Sequence, residues 1–281
     1  MNVKTCEPAI LPLQSLRWES FTEVLKEAHQ ILALYDETLQ TTANKEELFS
    51  LLMLKEAVAS VEGNKSKGSS FEFFHQKDSD QSSQLKNYQS ALSQGAKWVE
   101  TRPFSGAFFC HLHKIIRKDG SASNADIGKW RDRQNWIGPE GCEAADAYYF
   151  PPKLDVMRNR LDNLFRYLRF EDKDPLVQLA ISFAQFLIIH PYMDGNGRVG
   201  RTFIPLFLYK RKVVSYPLVY LSAYFQRNRS AYFEKLYAIT TDALWDDWIQ
   251  FFLRGIIEEC ESNRKIANTI PEKESPKSST H

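Results

Sequence analysis

Twelve consecutive residues, His190 to Arg201, bring together side chains that could do chemistry: His190, Asp194, Asn196, Arg198 and Arg201, spaced by Gly195 and Gly197. A histidine titrates near neutral pH and can take a proton from an attacking hydroxyl. Asp194 offers hard oxygens of the kind Mg²⁺ takes alongside phosphate oxygens and water. Two glycines let the backbone turn sharply and present its N–H groups at a helix start, which makes an anion cradle. Arg198 and Arg201 are three apart, so on a helix they share a face and can clamp neighbouring phosphates. Asn196 can orient a phosphate oxygen. Around a nucleoside triphosphate each of these groups has a task.

Positioning them falls to the flanking segments. Asp174-Pro175 reads as an N-cap followed by proline at the first helical position. From there to Ile189 the chain is apolar almost all round, the pattern of a helix buried at the centre of a domain. Phe203, Ile204, Leu206, Phe207 and Leu208 form a second apolar segment beyond the turn. The twelve residues therefore read as the tight connection between two core helices.

The stretch resembles the signature of the Fic family, His-x-Phe-x-Asp/Glu-Gly-Asn-Gly-Arg-x-x-Arg, with Tyr192 standing for the phenylalanine. The resemblance covers roughly residues 8 to 260. It implies a mainly α, Fic-type helical core with a short β-hairpin flap. It also implies an N-terminal helical region that carries an inhibitory helix, as in one subgroup of the family. The implied activity is transfer of AMP from Mg·ATP to a Ser, Thr or Tyr hydroxyl of a protein, with release of pyrophosphate. His190 would be the base and Asp194 the Mg²⁺ ligand, and Gly195, Asn196, Gly197, Arg198 and Arg201 would hold the phosphates. Removal of AMP, transfer of another phosphate-containing group, and a non-catalytic nucleotide-sensing module stay open as alternatives. No Walker A or protein-kinase signature is present, which argues against ordinary γ-phosphoryl transfer.

Three further stretches match by type. Glu62, followed by Gly63, matches the inhibitory glutamate, which in the subgroup pairs with the second arginine, here Arg201. The subgroup places Ser or Thr four residues earlier, where this chain has Val58; its nearby serine is Ser60. Gln134 to Gly138 with Tyr148 to Pro152 resemble the flap on which a target protein docks, with Trp136, Ile137 and Gly138 facing the substrate. Tyr232, Phe233 and Leu236 resemble the aromatic pair and leucine that enclose adenine, although Thr240 stands where relatives carry an amide. Read without the resemblance, Glu62 could be a solvated helix end, and the aromatic groups plain packing. His111 and His113 read as structural, and His29 and His75 carry no signal.

The whole chain sets the bounds. It has 281 residues, with 36 Lys and Arg against 35 Asp and Glu and a net charge of +1, so no bulk electrostatic case exists for nucleic acid or anionic membrane. Cys6, Cys110, Cys142 and Cys260 lack metal-ligand spacing and suit a reducing compartment. The longest apolar run, Ala180 to Ile189, falls short of the roughly 20 residues of a membrane span. A cytoplasmic protein is expected, and self-modification and homo-oligomer formation are both compatible with the sequence. Apolar spacing predicts helices over Trp18–Leu34, Leu48–Val61, Leu85–Glu100, Ser105–Arg117, Leu154–Leu168, Ser230–Thr240 and Leu244–Ser262. Lys65 to Ser83 reads as a mobile loop or seam and Tyr216 to Phe225 as partly irregular. The division expected is an N-terminal region over 1–84, a catalytic core over 85–265 and a polar tail over 266–281.

Overall fold

The computed structural model describes residues 5–62, 81–118, 126–138 and 142–270. Most of the expected seam and the polar tail beyond residue 270 lie outside them, as do Gly63 and the side chain of Glu62. Among the described residues are ten α-helices: α1 (Thr22–Thr41), α2 (Lys45–Glu62), α3 (Gln81–Thr101), α4 (Gly106–Ile116), α5 (Leu154–Tyr167), α6 (Pro175–Ile189), α7 (Asn196–Lys210), α8 (Ser222–Arg227), α9 (Arg229–Asp242) and α10 (Trp245–Ala267). None is long and apolar enough to cross a membrane.

The organising helix is α6. Asp174 caps it, its carboxylate accepting the N–H groups of Leu176 and Val177, with Pro175 in the first turn. His29 of α1 holds the other oxygen of that cap at 2.6 Å. Every side chain from Leu176 to Ile189 is buried, because α5, α7, α9 and α10 surround the helix. Its two glutamines are used structurally: Gln185 donates to the Ala9 carbonyl and Gln178 to those of Tyr167 and Phe170. A buried amide left without such partners would cost about 1–3 kcal/mol. Helix α7 lies close against α6. A Cβ at Gly200 would stand 3.1 Å from the Phe183 ring, so glycine there sets the approach of the two helices.

The remaining helices form two supports. Helix α1 packs along α10, and α3 packs on α2, α4 and α7. One cluster of buried apolar residues runs from Leu11 to Ala267. Helix α1 begins later than its apolar spacing suggests, after a 3-10 turn at Trp18–Ser20, and continues to Thr41 because Tyr35 and Leu39 extend its buried stripe. The segment read as partly irregular, Tyr216 to Phe225, becomes helical where α8 begins at Ser222.

The expected β-hairpin flap is not seen among the described residues. What is present is one antiparallel bridge, Ile137 with Tyr149. Ladder growth is blocked on both sides. Pro151 and Pro152 have no N–H to donate. The side chains of Gln134 and Arg131 take the carbonyls of Pro151 and Pro152. Asn135 turns its amide to the Tyr192 carbonyl, and residues Ala144–Asp146 form a 3-10 turn.

Candidate active site

The segment His190–Arg201 lies where the sequence puts it, at the connection from α6 to α7. His190 ends α6 in the left-handed region (φ 49°), a conformation costing a non-glycine residue about 1 kcal/mol or more. Surrounding contacts hold it there. Its N–H reaches the Phe186 carbonyl, and the buried Arg131 donates Nε to its own carbonyl at 3.0 Å. Nδ1 faces the Leu187 carbonyl at 3.3 Å, so the ring proton is assigned to Nδ1. Nε2 is then a lone-pair acceptor, buried and with no hydrogen-bond partner among the described residues. Burial, and secondly the Arg131 charge, lower the pKa of the ring to about 4 against the opposing pull of the Leu187 carbonyl and Asp194. The imidazole is neutral at pH 7.

Gly195 also adopts a left-handed conformation (φ 83°) and serves as the N-cap of α7 without a side-chain cap. The first-turn amides therefore have no intrahelical acceptor, and Gly197 among them lines a cleft that His190 also lines. Asn196 Oδ1 accepts the Tyr192 N–H and its Nδ2 donates to the Tyr192 carbonyl, both at 2.9 Å, so the amide closes the loop. Tyr192, in place of the signature phenylalanine, is fully buried and stacked on His113, with ring centroids 3.9 Å apart and planes 3° apart.

A cleft of about 470 Å³, open to solvent, joins His190 and Gly197 to Ile137, Tyr232, Phe233 and Leu236. With Tyr149, which also lines it, the cleft gathers the expected base, one cradle glycine, two residues of the segments read as the flap and the whole expected adenine group. Thr240 lines it too, with its hydroxyl turned to the Tyr237 carbonyl. Trp136 is half-buried, its indole N–H on the Cys142 carbonyl, and Gly138 is packed against Cys142. A smaller cavity, sharing the Tyr232 and Phe233 walls, is lined by Arg201, Arg229, Ser222 and Ala59.

The two arginines diverge in their contacts. Arg198 Nη2 lies 3.7 Å from the Asp194 carboxylate, while Arg201 faces the end of α2. Arg201 Nε donates to Ser60 Oγ at 3.0 Å and its Nη2 to the Ser60 carbonyl at 3.2 Å. The contact comes from Ser60 rather than from position 58, where the subgroup has its hydroxyl. Four residues back on α2, the buried Glu56 accepts from Tyr88 of α3 at 2.8 Å and from the Ser222 hydroxyl and N–H of α8. Burial raises its pKa to about 7 despite those hydrogen bonds and the nearby Arg201 charge.

Asp194 has partners that the sequence did not reveal. Arg117 Nη1 sits 2.6 Å from its Oδ2, and Gly195 N–H bonds to its Oδ1. His113 accepts the Gly128 N–H at Nδ1, so its Nε2–H donates to the Asp194 carbonyl at 3.0 Å. The ring is kept neutral, chiefly by burial, with a pKa of about 4. His113 and Arg117 lie four apart on α4 and its C-cap, a spacing legible in the sequence, but nothing local says which loop that face meets. For a divalent ion the donors do not fit. Both carboxylate oxygens already have a partner, one of them a guanidinium.

The chain is similar to known proteins in part of its sequence and in its fold. Residues 103–208 match the Fic/DOC family model. A probable protein adenylyltransferase of Aquifex aeolicus is 30% identical over 116 residues, covering 38% of this chain and 34% of that protein. The chain therefore spans about a third of the length of that relative. A Fic family protein from Desulfovibrio desulfuricans superposes with a TM-score of 0.69 at 14% identity, over 93% of this chain and 78% of the other. A Fic domain-containing signalling protein from Bacteroides thetaiotaomicron gives 0.66 at 17% identity, over 88% and 99%. Residues 103–208, which include His190, Asp194 and the Gly195–Gly197 turn, are thus similar to the Fic/DOC family, and the chain has the fold seen in solved Fic proteins.

Proposed function

We propose that this chain is a protein adenylyltransferase that moves AMP from ATP to a Ser, Thr or Tyr hydroxyl of a protein. The observation that carries the reading is the Nε2 of a neutral His190, without a partner among the described residues, in the wall of a cleft shared with Gly197 and with Tyr232, Phe233 and Leu236. Its similarity to the Aquifex protein supports the same class of reaction. In the proposed step the hydroxyl oxygen attacks the α-phosphorus and its proton passes to His190 Nε2. The bond to the β-phosphate oxygen breaks and pyrophosphate leaves. First-turn amides of α7 and the Arg198 guanidinium stabilise charge growing on the phosphate oxygens. Tyr232, Phe233 and Leu236 enclose the base, and the target peptide runs beside Ile137.

Self-inhibition belongs to the same proposal. The Ser60 contact brings the last turn of α2 onto Arg201, and Glu62 is two residues farther on. A carboxylate there would occupy a cationic site that otherwise takes a terminal phosphate. The test is label transfer with cell extract. Protein labelled from α-labelled ATP but not from γ-labelled ATP supports AMP transfer; nucleotide bound without any labelling supports a sensing module instead.

A further inference from the structure

Asp194 stands where the family resemblance expects a dication, and a buried guanidinium is already there. Arg117 is 2% exposed and its Nη1 is 2.6 Å from Asp194 Oδ2. Its Cδ lies 3.2 Å from where a Cβ on Gly195 would stand, so the side chain runs directly beneath the cradle glycine. One turn earlier on α4, His113 fixes the backbone of Asp194 through its carbonyl. The face of α4 thus grips the acid twice, once by its backbone and once by its charge.

We infer that Arg117 is a positioning residue that supplies, beside Asp194, the fixed cation a divalent metal would otherwise provide, so that this chain binds a nucleoside triphosphate without needing a dication. The inference rests on the nucleotide reading of the cleft. An arginine cannot shed its charge. A dication bonded to the same carboxylate at about 2.1 Å would have to force that guanidinium away. Pushing the buried Arg117 off the Asp194 carboxylate would leave an uncompensated charge in the interior, which is strongly unfavourable. With Arg198 Nη2 3.7 Å from the same oxygen, two guanidinium groups converge on one acid next to the α7 amides. The region keeps net positive character for phosphate oxygens with no ion added.

Calorimetric titration with ATP, in excess Mg²⁺ and in EDTA, tests this on the full chain. Wild type should bind in both, with dissociation constants within about threefold. Arg117→Met should lose about tenfold in EDTA, the scale of one charged hydrogen bond. It should regain affinity in Mg²⁺, because the ion can then reach the freed acid. Arg117→Lys, which keeps a cation, should bind in EDTA more tightly than Arg117→Met. A purely structural ion pair would lower the melting temperature without changing the ratio of the two affinities. Wild type that binds only with Mg²⁺ would overturn the inference while leaving the nucleotide reading intact, and this holds even if Arg117→Met fails to fold. An equal Mg²⁺-to-EDTA ratio in wild type and Arg117→Met would overturn it too. No ATP binding under either condition would remove the nucleotide reading and this inference with it.

Discussion

The proposed base makes a distinctive prediction for pH. The His190 pKa falls from 6.5 to about 4, chiefly through burial and secondly through the Arg131 charge. At 1.36 kcal/mol per pH unit, that is about 3 kcal/mol against protonating the ring in the folded protein. At about pH 5.5 an ordinary histidine would be roughly one-tenth neutral, whereas His190 would be almost wholly neutral and able to accept a proton. Initial rates of label transfer from α-labelled ATP, measured at limiting ATP, should therefore stay level from about pH 8 down to about pH 5 and fall only below that. The sign follows from the neutral form being the active one: lowering the pKa extends activity into acid. Arg131→Gln removes the second cause and should move the acid limb upward by part of the difference. Far-ultraviolet circular dichroism at each pH separates loss of fold from titration. A limb with its midpoint near 6.5 in protein that is still folded would refute the link between the buried geometry of His190 and its protonation state.

Three other outcomes are expected. His190→Ala should reduce label transfer by about a hundred- to ten-thousandfold, the usual contribution of a general base, with ATP affinity nearly unchanged; undiminished labelling would remove His190 from the mechanism. Glu62→Gly should raise self-labelling about ten- to a hundredfold, the equivalent of a charged pair of about 1.5–3 kcal/mol, whereas Arg201→Ala should not, because Arg201 is also needed for the phosphate tail. Equal activation by both would rule out occupancy of the phosphate site. Asn196→Ala breaks two 2.9 Å hydrogen bonds that close the loop, so chemical denaturation should show a loss of about 1–3 kcal/mol, and a neutral result would mean that the loop holds without them.

Local signals in the chain determined most of the helices and the heart of the site. The cap at Asp174, the proline after it and the all-apolar run to Ile189 are properties of adjacent residues, and so is the turn that Gly195 permits. The expectations for His190 and the α7 cradle draw on neighbours within a dozen positions, although Arg131, 59 positions away, holds the His190 carbonyl and helps to keep its ring neutral.

Tertiary structure decided which groups are spoken for. Asn196 has the right chemistry for phosphate, but its amide is committed to a backbone four residues away, a choice set by loop closure and not by residue type. Among the described residues the hairpin is reduced to one bridge because strand pairing needs donors and acceptors on both segments: Pro151 and Pro152 have no N–H, and the side chains of Gln134 and Arg131 occupy their carbonyls. Ser60 meets Arg201 across 141 positions, and Arg117 meets Asp194 across a helix packing that no periodicity encodes. Charge pairs like these form between residues far apart in sequence once the helices bury them together. Spacing could place the acid in the site, and only the packing of α4 beneath the α6–α7 turn decided that a guanidinium would be its partner.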